Sequence, residues 1–113
     1  MHEMSLAESV LQLIEDSAKT NGFTRVRTVW LEIGQLAGVE AEAMRFCFDA
    51  VTRGSIADGA ALEIIATPGS GRCTDCGRTV AVTARYEPCP ACGGYAVQIA
   101  GGAEMRVREL DVE

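Results

Sequence analysis

Two Cys-x-x-Cys-Gly segments, Cys73-Thr74-Asp75-Cys76-Gly77 and Cys89-Pro90-Ala91-Cys92-Gly93, constrain this chain more than any other feature. Each short turn aims two thiolates at one point in space. The glycine that follows lets the backbone curl so that amide N–H groups face the sulfurs. Only twelve residues separate the pairs, so the two turns can close one tetrahedral cage of four sulfurs. Soft thiolates at four corners make zinc the default occupant, with iron in a rubredoxin-like, coloured site as the alternative. Four sulfur ligands leave no position for water or substrate, which makes the site structural rather than catalytic. Two disulfides fit the pattern badly, because no secretory segment opens the chain and a fifth cysteine, Cys47, has no evident mate.

The other properties narrow the remaining function classes. At 113 residues the chain is one domain, or one small domain with a metal-stapled appendage. A hydrophobic fraction of 48% and a charged fraction of 23% are those of a folded protein. No apolar run reaches the roughly 20 residues that cross a bilayer. The formal net charge is −6, Lys19 is the single lysine, and the nine arginines are scattered. Clustered cations supply non-specific nucleic-acid affinity, so a phosphate backbone is not the expected partner. Reduced thiols without a signal sequence predict a cytoplasmic protein.

Hydrophobic periodicity sets out the fold. Ala7, Val10, Leu11, Ile14 and Ala18 recur at helical spacing, and Asn21-Gly22 is a stop. Arg25 to Ile33 alternates with Val29, Leu31 and Ile33 on one face, a strand, and Gly34 to Gly38 is a loop. A second helix begins near Glu40, with Ala43, Phe46, Cys47, Ala50 and Val51 assigned to its apolar face and Gly54 as its stop. Leu62 to Thr67 is another strand. Pro68-Gly69-Ser70-Gly71 and Gly101-Gly102 are breaker clusters that bracket the cysteines. Thr79 to Thr83 and Tyr95 to Ile99 are β-prone, and Met105 to Val112 is a closing strand whose change of apolar phase suggests a bulge. The expected class is α+β: a small two-helix, three-strand domain, residues 1–69 completed by 103–113, with a zinc-ribbon-like four-cysteine domain inserted at 70–102.

The amino terminus offers a second metal-binding chemistry. An α-amine, a backbone amide and an imidazole at the second residue form a fused chelate, which suits the tetragonal preferences of nickel(II) and copper(II). His2 is the only histidine. Glu3 supplies a further amide nitrogen and a carboxylate, and the bulky His2 keeps Met1 and its amine in place. The opposing account is a solvated, frayed side chain.

The opening Met1-His2-Glu3-Met4-Ser5-Leu6, then Val29-Trp30-Leu31-Glu32-Ile33-Gly34, Phe46-Cys47-Phe48-Asp49 and the two cysteine turns resemble, in order along the whole chain, the HypA/HybF family of hydrogenase nickel-incorporation metallochaperones. The resemblance implies a chaperone, not an enzyme, that holds Ni(II) on His2, the Met1 amine and the backbone around Glu3. It implies Zn(II) on Cys73, Cys76, Cys89 and Cys92, and an acidic residue before the second helix, Glu40, near the nickel. Delivery would be to the large subunit of [NiFe] hydrogenase, with the maturation GTPase HypB as partner. The bracketed module also allows self-association by swapping. The competing reading is a structural zinc-ribbon interaction module without nickel function. An enzyme has little to draw on here, with no second histidine and no phosphate-binding loop.

Overall fold

The computed structural model describes residues 2–113. Its elements are helix α1 (Glu3–Asn21), strand β1 (Val26–Gly34), helix α2 (Ala41–Thr52) and strands β2 (Ala61–Thr67), β3 (Ser70–Cys73), β4 (Thr79–Ala81), β5 (Val97–Gly101) and β6 (Met105–Val112). This is the α+β class expected from the periodicity. Three strands form a sheet in the order β2-β1-β6 and three a second sheet in the order β4-β3-β5. The chain divides into two compact units. One runs to Leu31, resumes at Val39–Ile64 and closes with Val107–Glu113; the other comprises Glu32–Gly38 and Ile65–Arg106.

The first unit is built on the contact of α1 with α2. Ala7, Val10 and Ile14 form the buried stripe of α1; in β1, Val29 and Leu31 share one buried face, and Val26 is buried at the start of the strand. The α1 ladder ends where the Gly22 N–H donates to the Ala18 carbonyl at 2.8 Å. In α2 the core residues are Met44, Cys47, Phe48 and Thr52, and the Thr52 hydroxyl is satisfied by the Phe48 carbonyl at 2.8 Å. The buried face of α2 is therefore rotated from the expected one: Cys47 is in the core, but Phe46 and Ala50 face solvent. Burial of the bulkier Met44 and Phe48 removes more apolar surface from water than the alternative face would.

The second unit surrounds the cysteines. β3 pairs antiparallel with β4 on one side and with β5 on the other, with an irregularity between Ser70 and Gly71. Both breaker clusters lie inside this unit, and Gly71 and Gly101 are strand residues. The expected loop after β1 is tied down by three backbone hydrogen bonds: Gly34 N–H to Glu104 O at 2.8 Å, Gln35 N–H to Thr67 O at 2.9 Å, and Leu36 N–H to Gly102 O at 2.7 Å. The chains approach so closely there that a Cβ on Gly34 would sit 2.1 Å from the Gly102 carbonyl oxygen. Only glycine fits.

Candidate metal centres

The two cysteine turns have the same backbone design. In the first, the Gly77 N–H donates to the Cys73 carbonyl at 2.8 Å and the Cys73 N–H to the Arg78 carbonyl at 2.9 Å. In the second, the Gly93 N–H donates to Cys89 and the Cys89 N–H to Gly94, both at 2.7 Å. Gly77 and Gly93 have φ of +75° and +76°, a region costly for residues with a Cβ. Thr74 joins the turns by donating both its N–H and its hydroxyl to the Ala96 carbonyl, at 3.0 and 3.2 Å.

The four sulfurs converge as the spacing predicts. Their Sγ atoms lie within 4.8 Å of one another, with Cys73 and Cys92 at 3.7 Å and Cys76 and Cys89 at 3.9 Å. A tetrahedral ion with bonds of about 2.3 Å to sulfur spaces its ligands about 3.8 Å apart, so the cage has the dimensions of a four-thiolate metal site. All five cysteines of the chain are free thiols; Cys47 is buried in α2 and is not one of the four that converge. Electrostatics point the same way. The amide N–H of Cys92, then that of Ala91, stabilises the Cys89 thiolate against burial and brings its pKa down to about 7. The Gly94 N–H favours a thiolate at Cys92, yet the crowding thiols of Cys73, Cys89 and Cys76, with burial, push its pKa up to about 12. Four sulfurs at this spacing cannot all ionise without a cation among them.

The terminal centre is organised by Glu3. His2 is the N-cap of α1, but its side chain makes no capping bond and stays about half exposed. Its Nδ1 lies 3.8 Å from Oε2 of Glu3, whose side chain is only 8% exposed. That same oxygen accepts the Glu40 N–H at 3.2 Å. The Glu40 amide, then the amide of Glu3 itself, holds the Glu3 carboxyl below the ordinary glutamate range, with His2 adding to the effect and burial opposing it. The Glu40 carboxylate caps α2, accepting from the N–H groups of Ala43 at 3.0 Å and Glu42 at 3.4 Å. The structure thus brings His2, Glu3 and Glu40 together. Met1, which completes the expected nickel set of His2, Met1 and Glu3, lies outside the described residues.

The buried brace made by the Glu3 carboxylate is the feature that sequence reading missed. Glutamate is seldom buried, and nothing local announces a partner 37 positions away. The Glu40 cap left a fainter trace, an acidic residue just before an apolar helical pattern, masked because Ser, Thr, Asp and Asn are the usual N-caps.

Comparison with known proteins places these features in context. Residues 1–112 match the family model described as hydrogenase/urease nickel incorporation, metallochaperone, hypA. The chain is 63% identical over 113 residues to the hydrogenase maturation factor HypA of Albidiferax ferrireducens and 60% identical to that of Dechloromonas aromatica, covering the full length of both proteins. Its fold is similar to the solution structure of the Ni metallochaperone HypA from Helicobacter pylori, with a TM-score of 0.74 at 28% identity, covering 99% of this chain and 97% of that one. Motifs, fold and both candidate centres agree with one conclusion: the chain belongs to the HypA family of nickel-incorporation metallochaperones, which are maturation factors and not enzymes.

Proposed function

We propose that this protein carries Ni(II) at its amino terminus and delivers it to the large subunit of [NiFe] hydrogenase, working with the maturation GTPase HypB in the cytoplasm. The observation that carries the reading is the arrangement of His2 and Glu3 at the start of α1 in a chain that matches the nickel-incorporation family over residues 1–112. Nickel is the cargo. Its donors are the Met1 amine, the His2 amide and imidazole, and the Glu3 amide.

Local physics favours a site that holds its ion and lets it go. Amides in the first turn of a helix have no acceptor within the helix, so converting the Glu3 amide to a metal donor breaks no rung of the α1 ladder, which begins with Leu6 N–H to His2 O at 3.0 Å. The Glu3 carboxylate keeps this turn in place while leaving the imidazole accessible. The positive end of the α1 dipole opposes a cation there, and protons compete for amine and imidazole. Affinity is therefore moderate and falls as pH falls.

Cys73, Cys76, Cys89 and Cys92 hold Zn(II) in this reading, and the ion supplies a crosslink rather than chemistry, since four thiolates close its coordination sphere. The family description names urease as well as hydrogenase. We assign hydrogenase because the relatives at 60% and 63% identity are hydrogenase maturation factors.

Nickel(II) titration of untagged, zinc-loaded protein beside a His2→Ala variant tests the proposal. Wild type takes up about one nickel per chain, and the variant loses that uptake while keeping zinc. Equal uptake by both, or by neither, would refute the terminal site and leave a zinc-ribbon interaction module as the better account.

A further inference from the structure

Helix α2 turns Met44, Cys47, Phe48 and Thr52 inward. Phe46 stands on the opposite side and is 73% exposed. A benzyl side chain has no polar atom to satisfy in water, so this exposure is maintained against the hydrophobic effect. Its neighbours one turn away are Glu42, Ala43, Asp49 and Ala50, with Arg53 a further turn on at the end of the helix. The charged ones are held along the helix, Arg45 to Glu42 at 3.7 Å and Arg53 to Asp49 at 3.5 Å, which leaves the ring uncovered. An aromatic anchor within a polar rim is the anatomy of an interaction hot spot.

The position of the anchor relates it to the terminal site. Phe46 lies six residues beyond Glu40, whose N–H is bonded to Glu3. At about 1.5 Å per residue that is about 9 Å along the helix axis. A protein seated on Phe46 is within reach of the His2 terminus.

Charge selects the occupant. In the second unit Arg72, Arg78, Arg85 and Arg106 are balanced by Glu32, Asp75, Glu87 and Glu104, so the whole formal charge of −6 belongs to the unit that carries α2. Two copies of that unit repel each other, whereas a cationic partner is attracted and steered towards it. We propose that the outer face of α2, centred on Phe46, docks a protein partner presenting an apolar pocket rimmed by lysine and arginine, and that nickel is exchanged with the terminus while the two are engaged. The inference rests on the nickel-carrier reading above.

The test uses the full-length, zinc-loaded chain as wild type, as Phe46→Ser and as the double variant Glu42→Lys, Asp49→Lys. Binding to the purified maturation GTPase and to the hydrogenase large-subunit precursor is measured by calorimetry and by association kinetics at low and high salt. Phe46→Ser weakens at least one of these complexes by about tenfold or more, with nickel uptake and melting temperature as in wild type. The double variant slows association and flattens its salt dependence. Wild-type affinity of Phe46→Ser for both partners overturns the proposal. So does a wild-type dimer that Phe46→Ser dissociates, since the face would then serve self-association. If the wild type binds neither protein although it still takes up nickel, the delivery reading itself fails, and the docking proposal falls with it.

Discussion

Gly34→Ala is expected to destabilise the cysteine-bearing unit by about 3 kcal/mol. The added Cβ would lie 2.1 Å from the Gly102 oxygen, 2.3 Å from the Gly102 carbon and 3.0 Å from the Ala103 nitrogen. Relief requires backbone to separate by about 1 Å, because no flexible side chain is in the way. Overpacking of this kind costs about 1–3 kcal/mol. The same displacement pulls on the three bonds that anchor Gly34, Gln35 and Leu36 to Glu104, Thr67 and Gly102, each worth about 1 kcal/mol net. Losing one of them brings the total to the stated figure. Gly38→Ala is the control: φ there is +71° with nothing within 4 Å of the new Cβ, so only the left-handed conformation is penalised, at about 1 kcal/mol. Urea unfolding of the metal-loaded proteins, followed by circular dichroism, gives the free energies. Hydrogen exchange at the Gln35 and Leu36 amides locates the damage. If Gly34→Ala is no worse than Gly38→Ala, or if those amides keep their protection, the close approach does not constrain the fold and the reasoning is wrong.

Three further outcomes follow from the packing and the charges. Ile14→Ala, at a fully buried position of α1, is expected to cost about 3 kcal/mol in thermal unfolding, whereas Leu13→Ala, half exposed next to it, stays within about 1 kcal/mol. In chelator-treated protein the depressed Cys89 pKa of about 7 contributes stability that is present above the ordinary thiol value of 9.0 and lost as pH falls towards 7. The raised Cys92 pKa of about 12 contributes stability that is lost as pH climbs from 9.0 towards 12. Melting temperatures of the metal-free protein should therefore rise from about pH 7 to 9 and decline above it, and a flat profile would contradict the thiol assignment. The depressed carboxyl of Glu3 stabilises the protein at neutral pH, and that contribution disappears as pH falls below the ordinary value of 4.5; acid titration should show this loss in wild type and not in Glu3→Gln.

Much of the fold was legible because its signals are local. The α1 stripe of Ala7, Val10 and Ile14 is periodic, and the cysteine turns declare their geometry by spacing and by the glycine after each pair. The face of α2 was not legible for a specific reason. In Ala43-Met44-Arg45-Phe46-Cys47-Phe48 apolar residues occur almost all round the helix, so periodicity admits two answers and only packing against α1 chooses between them. Strand β3 escaped for another reason. Ser70 and Gly71 have breaker composition, and their extended conformation is imposed by pairing with residues at 80–81 and 99–101, a non-local preference that no window of sequence contains. The Glu3 brace is non-local in the same sense, while His2 and the four cysteines could be singled out from residue type and position alone.

The matched backbone turns at the cysteines have a consequence for how the protein comes to be folded. Their hydrogen bonds, Gly77 to Cys73, Cys73 to Arg78, Gly93 to Cys89 and Cys89 to Gly94, span no more than five residues. Loops that short close on the scale of tens of nanoseconds, long before β3 finds β5. Each turn is therefore a ready two-thiolate chelator in the nascent chain, and an ion shared by both shortens the search that the antiparallel pairing must make. On the zinc reading proposed above, metal supply would set the rate at which the chain matures, and a member of a nickel-handling family would depend for its own biogenesis on a second metal.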